Sequence, residues 1–186
     1  MFDIITFGSA TQDIVVKPKN VTGLKSSNQK EVCFPMGGKI ELEDILFNSG
    51  GGGTNTAATF ALQGFKTAFC GTLGSDVSGK EIINELKKLK INTGLVQVTG
   101  KKRTNHSIVI LHGSQDRTIL AYRGAAELMD HSQIPWNKLK AKWLYLAPLS
   151  GLLCDNFEAL VNFAFDKKIK VAVNLDKHIL IVIEHS

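Results

Sequence analysis

The residues here whose types and spacing suit chemistry are a glycine run, the asparagine that follows it, and an early aspartate. Gly50-Gly51-Gly52-Gly53-Thr54-Asn55 opens an Ala-rich helical stretch, Thr54 to Gln63, that Gly64 closes. A helix N-terminus offers unfilled N–H groups to oxygen-rich ligands, and glycines let the backbone approach without a Cβ in the way. A flexible loop ahead of a helix has the same composition, so the run alone is a weak signal. Two nucleotide motifs fail. A G-x-G-x-x-G/A fingerprint starting at Gly50 or Gly51 ends on Asn55 or Thr56, and it does not follow the first strand directly. Gly74-Ser75-Asp76-Val77-Ser78-Gly79-Lys80 approaches the phosphate-binding P-loop, but Glu81 stands where a hydroxyl must hold magnesium. Asp76 would also put a carboxylate inside the phosphate cradle.

The elements that must position these groups alternate between strand and helix. Phe2 to Phe7 is β-branched and apolar and ends at Gly8, which predicts a buried strand. Thr67 to Leu73 predicts a second strand, and Gly79 to Leu89 an amphipathic helix with Ile82, Ile83, Leu86 and Leu89 on one face. Trp143 to Leu146, Phe157 to Phe165 and Ile169 to Val173 read as strand, helix and strand. Such alternation implies an α/β fold with a mostly parallel sheet covered on both faces. Two segments interrupt it. Residues 13–47 are irregular, with brief β-like pieces at Ile14 to Val16 and Glu31 to Phe34. Residues 104–124 read as a hairpin, Ser107 to Leu111 and Thr118 to Tyr122 joined by His112 to Asp116. Both look like insertions projecting from the sheet. Near the end, Ile179 to Ile183 is an apolar run of buried-strand type with little chain after it, from which we expect that a covering part is missing.

Composition narrows the function classes. The chain has 186 residues, 44% hydrophobic and 21% charged, with a net charge of +5, as expected for one soluble domain. The basic residues are spread out, with short clusters such as Lys101-Lys102-Arg103, and no aromatic-rich basic stripe argues for a nucleic-acid partner. Cys33, Cys70 and Cys154 are far apart, form no CxxC pair, and Cys70 sits in an apolar run that predicts a buried thiol. No stretch is long and apolar enough for a membrane partner, and the start lacks the pattern of a signal peptide, so a cytoplasmic, reducing location is expected.

The wider spacing is more specific than any single motif. Gly51-Gly52-Gly53-Thr54-Asn55-Thr56-Ala57, then Gly64, then Gly74, resembles the first signature of the PfkB/ribokinase family of carbohydrate kinases. Gly8-Ser9 followed by Asp13 resembles that family's opening motif, and Gly74-Ser75-Asp76-Val77-Ser78-Gly79 its G-x-D-x-x-G turn. Arg117 to Leu120 resembles its second lid strand. Val171-Ala172-Val173-Asn174 resembles the strand ending in Asn-Pro, with Leu175 in place of the proline. These matches fall in the family's order and cover residues 1 to about 175.

The resemblance implies a ribokinase-like three-layer sandwich with a small β-lid, an incomplete domain over 1–186 whose lid is built from about 13–47 and 104–123. It implies an ATP-dependent kinase that phosphorylates a sugar hydroxyl with Mg2+. A nucleoside kinase of the adenosine type and a non-catalytic sugar- or nucleoside-binding module remain alternatives. Asp13 matches the carboxylate that accepts from two sugar hydroxyls, Asn55 a side chain at the sugar, and Gly51 and Gly52 the backbone contacts. The alternatives are a loop or cap role for Asp13 and a helix-fixing role for Asn55. Asp76 is expected to order a turn, and Arg123 either reaches an anionic substituent or is simply an exposed lid arginine. The lid implies a homodimer contact. Two departures leave ribose specificity open: Gly52 stands where the ribokinase subgroup has lysine, and Ala147 or a close neighbour where it has a sugar-binding glutamate. The G-A-G-D general base and the N-x-x-E magnesium motif do not occur before Ser186, so we expect this chain to supply the sugar-binding half and to be inactive alone.

Overall fold

Strand β1 (Phe2–Phe7) is buried from Ile4 onward because neighbours flank it on both edges and both faces. The computed structural model describes residues 1–19, 23–26, 29–112 and 116–174; the Ile179 to Ile183 run and the tip of the predicted hairpin lie outside them. The remaining strands are β2 (Thr11–Pro18), β3 (Gly23–Ser26), β4 (Gln29–Val32), β5 (Leu42–Gly50), β6 (Thr67–Cys70), β7 (Thr72–Gly74), β8 (Gln97–Thr99), β9 (Asn105–His112), β10 (Asp116–Tyr122), β11 (Ala141–Leu146) and β12 (Lys170–Val173). The helices are α1 (Gly52–Leu62), α2 (Val77–Lys88), α3 (Leu152–Asp155) and α4 (Phe157–Asp166).

The central sheet has the order β12-β11-β1-β6 and every pairing in it is parallel. Ile5 and Phe7 point to one face, where Leu144, Leu146 and Cys70 pack with Leu160 and Ala164 of α4. Burial pushes the Cys70 thiol pKa far up, as the apolar run predicts. The other face meets α1: Thr6 Oγ1 donates to Gly53 O at 3.0 Å, and Ala57 packs with Phe69. Beside them Ile82 and Leu86 of α2 close a second apolar cluster, and full burial of a side chain such as Ile82 contributes about 1.5–3 kcal/mol. Leu89, expected on that face, is instead the C-cap of α2 and lies more open. Over β11 and β12 the α1 side of the sheet is uncovered among the described residues. There Phe60, Phe65, Trp143 and Tyr145 line an apolar groove of about 360 Å³.

The predicted single strand over Thr67 to Leu73 is two. The chain breaks at Gly71, and β7 leaves the central sheet to pair with β8. The two irregular segments meet in a second sheet of order β10-β9-β2-β5. In it β2 runs parallel to β9, and both outer pairings are antiparallel. The sequence reading missed β5 because Leu42 to Phe47 does not alternate. Residues paired in register share a face. One face therefore carries the row Leu46, Val15, Val109, Ile119, and the other the row Phe47, Ile14, Ile108, Leu120. With apolar rows on both faces, the period-2 signature of a strand vanishes.

Candidate functional site

The second sheet joins the central one through β1, Gly8 and β2 on one side, and through β5 running directly into α1 on the other. This connection brings Asp13 and the glycine run together. Thr11 pairs with Gly50, and Asp13 pairs with Asn48 on one neighbour and Ser107 on the other. The half-buried Asp13 carboxylate leans over Gly50, so a Cβ at Gly50 would collide with its Oδ2. No described residue donates to that carboxylate. An ionised carboxylate accepts only, and it suits a pair of hydroxyl donors from a ligand.

The start of α1 is less open than the sequence implies. Gly51, the N-cap, has φ +104°, and a Cβ there would lie 2.5 Å from Ser9 O. Only glycine takes that conformation without strain. Ser9 then fills the helix end: its Oγ accepts from Gly52 N at 3.2 Å, and its carbonyl accepts from Gly53 N at 3.0 Å and Thr54 N at 3.4 Å. Asn55 lies in the first turn with its side chain exposed and without a partner among the described residues, so it does not cap the helix.

A cavity of about 230 Å³ opens between the root of the second sheet and the loop after β11. Ser9, Thr11, Asn105, Ser107, Arg123 and Ser150 are among the residues lining it. Asn105 is buried, and its Oδ1 accepts from Gly124 N at 2.9 Å and Ala126 N at 3.2 Å, which fixes its amide orientation. His106 is held at both ring nitrogens: Nδ1 donates to Thr104 O at 2.8 Å and, in the neutral ring, Nε2 accepts from Ser78 Oγ at 3.1 Å. Gly52 faces this region, its would-be Cβ 3.2 Å from Ala147 Cβ.

Asp76 has the role the sequence predicts. It is the N-cap of α2, with Oδ1 accepting from Gly79 N at 2.9 Å and Thr104 Oγ1 at 2.6 Å, and Oδ2 from Thr104 N at 2.8 Å. Burial opposes its ionisation, but the Thr104 hydroxyl and the Gly79 and Thr104 N–H groups together hold its pKa below the ordinary aspartate value. In the adjacent basic loop Lys102 lies 3.5 Å from Glu127, and the Ser132 hydroxyl, with the Ser132 and Gln133 N–H groups and a smaller contribution from Lys101, lowers the pKa of Asp130. Among the described residues no three His, Cys, Asp or Glu side chains converge on a metal site.

Comparison with known proteins shows the family. Residues 1–178 match the model of the pfkB family carbohydrate kinases. The chain belongs to the PfkB family. A ribokinase from Schizosaccharomyces pombe is 27% identical over 131 residues, spanning 67% of this chain and 37% of that protein. The structure of ribokinase from Giardia lamblia superposes with a TM-score of 0.76 at 19% identity, covering 96% of this chain and 56% of that one. Fructokinase with bound ATP from Xylella fastidiosa gives 0.72 at 20% identity, covering 95% and 52%. Arabidopsis thaliana ribokinase complexed with ribose and ATP gives 0.69 at 22%, covering 92% and 53%. These likenesses establish the mixed α/β fold with its parallel central sheet. This PfkB chain spans about half the length of those solved chains and 37% of the curated relative.

The structure thus brings Asp13 to the glycine run and sets Asn55 one turn into the helix that run begins. Sequence reasoning missed Asn48, Ser107 and Asn105, whose places depend on pairing between distant strands. Ser9 stood in the quoted opening motif, but its part in filling the helix end was not legible.

Proposed function

We propose that this chain supplies the sugar-binding part of an ATP-dependent carbohydrate kinase, which transfers the γ-phosphoryl group to a sugar hydroxyl. Asp13 accepts from a sugar diol, Asn55 and the backbone at Gly51 complete the contact, Gly52 lines it with its N–H held by Ser9 Oγ, and the second sheet is the lid over the site. The observation that carries this reading is the Asp13 carboxylate, which no described residue fills and which lies over a glycine whose Cβ would displace it. Among protein groups, a half-buried charge without hydrogen bonds is costly, and a ligand that supplies them recovers that cost. The adjoining cavity of about 230 Å³ adds further polar groups beside that carboxylate. ATP and Mg2+ belong to the reaction of the whole kinase.

Thermal melting of the chain with ribose, fructose, adenosine and Mg-ATP, each added alone, tests the reading. At least one monosaccharide should raise the melting temperature; a ligand at 100 times its Kd adds about 2.7 kcal/mol. Stabilisation by Mg-ATP with no response to any sugar would overturn it.

The lid also suits a homodimer contact. Only one face can cover the sugar, yet both carry apolar rows, and Phe47 and Leu120 of the Ile14 row are more than half exposed. Sedimentation equilibrium should show a dimer that Phe47→Glu dissociates; a monomeric wild type would exclude this contact.

A further inference from the structure

The face of the second sheet that carries Asp13 changes character one row above it. Residues paired in register share a face, so Asp13 stands between Asn48 of β5 and Ser107 of β9. The next row toward the root is Gly50, Thr11 and Asn105, and the next away from it is Leu46, Val15, Val109 and Ile119. A sugar lying over Asp13 thus meets polar side chains at the root and carbon above them. On the β9 side Ser107 opens onto the cavity of about 230 Å³. On the β5 side the carboxylate leans over Gly50, which has no side chain, and the neighbour on that strand is Asn48.

Asn48 is exposed and directly opposite Asp13, and the Cβ atoms of such a pair lie about 4.5–5.5 Å apart. Its side-chain amide has no partner among the described residues and does not bond the carboxylate beside it. Its backbone, in contrast, is fastened. β5 is the outermost strand of its sheet, yet the buried Gln12 donates from Nε2 to Asn48 O at 3.0 Å. That bond holds Asn48 in register with Asp13 and leaves its side chain free for a ligand. A carboxamide both donates and accepts, so it complements an acceptor-only neighbour. Two hydroxyls of a sugar give their protons to Asp13, and the hydroxyl on the next carbon keeps a proton and lone pairs of its own. Asn48 meets that third hydroxyl only when it projects toward β5, which the configuration of its carbon decides.

We propose that Asn48 is a specificity-determining residue, which reads the configuration of the hydroxyl adjacent to the diol held by Asp13. The substrate is then a monosaccharide with at least three contiguous free hydroxyls. This rests on the sugar-binding reading above and narrows its substrate class.

Calorimetric titration of the wild-type chain and of Asn48→Ala with two sets of epimers tests it: D-ribose with D-arabinose and D-xylose, and D-fructose with D-psicose and D-tagatose. The wild type should prefer one sugar over an epimer in its own set by at least about fivefold, the scale of a single hydrogen bond. Asn48→Ala should weaken the preferred sugar by about that factor and its epimer by less than about twofold, so that the ratio collapses. Its melting temperature should match the wild type, because the side chain is exposed and bonds nothing described. A merely structural role would weaken both epimers together. An unchanged ratio in Asn48→Ala, an equal loss for both epimers, or a wild type that binds each set alike overturns this proposal and leaves the sugar-binding reading standing. Binding of none of these sugars by the wild type fails both readings.

Discussion

Two aspartates in this chain have the same charge and opposite surroundings. Asp76 has both carboxylate oxygens filled by Gly79 and Thr104, which fasten the start of α2 to the residue just before β9. Asp13, at the root of the second sheet, has neither oxygen filled by a described residue and rests against a glycine whose Cβ would displace it. The first carboxylate is spent on the fold, because its bonding capacity is used within the chain. The second is free for something else. That difference separates a structural aspartate from a ligand-binding one more sharply than their motifs do, since both sit beside glycines in a family signature.

Substitutions should separate the two. Asp76→Ala removes a helix cap and strands the Thr104 N–H and hydroxyl, so it should cost about 2–4 kcal/mol of stability, measured by urea unfolding. A loss below about 0.5 kcal/mol would break the contrast from the structural side. Gly50→Ala places a methyl where the Asp13 carboxylate lies, and should weaken sugar binding about tenfold by calorimetry, the scale of one charged hydrogen bond. Unchanged affinity in that variant would mean that Asp13 is not held where the ligand needs it.

The Asp76 contact also predicts a pH dependence. Its folded pKa is depressed, so its contribution is present above the unfolded value of about 3.9 and is lost as pH falls through the lower folded value. The stability gap between wild type and Asp76→Asn should therefore narrow in unfolding curves taken at progressively more acid pH below about 4. A gap that widens there would contradict the assigned bonds. The smallest effect is expected at Asn55, whose side chain caps nothing. Asn55→Ala should lower sugar affinity a few-fold while holding or slightly raising stability, since alanine favours a helix by about 0.5 kcal/mol.

Much of the central sheet was legible because its strands read as short apolar runs: Phe2 to Phe7 and Trp143 to Leu146 fall on strands, and Ile169 to Val173 on one that begins at Lys170. The second sheet was legible only in part. Arg117 to Leu120 lies within β10, but β5 was hidden because Ile45, Leu46 and Phe47 put apolar side chains on both faces in turn. The candidate site divides the same way. Asp13, Gly51, Gly52 and Asn55 stand in spaced motifs that a linear reading can find. Asn48 and Ser107 reach Asp13 only through strand register, and Asn105 reaches the cavity only because two backbone amides turn its side chain. Register and side-chain orientation are set by packing between distant segments, and no local pattern encodes them.

The most direct test of the central claim is calorimetric titration of a monosaccharide panel into the wild-type chain and into Asp13→Asn, which keeps the side chain's size and removes its charge. The account predicts saturable binding of at least one monosaccharide by the wild type and a loss of about tenfold or more in a variant that melts normally. Equal affinity in a folded Asp13→Asn variant, or no binding of any sugar by the wild type, would contradict it.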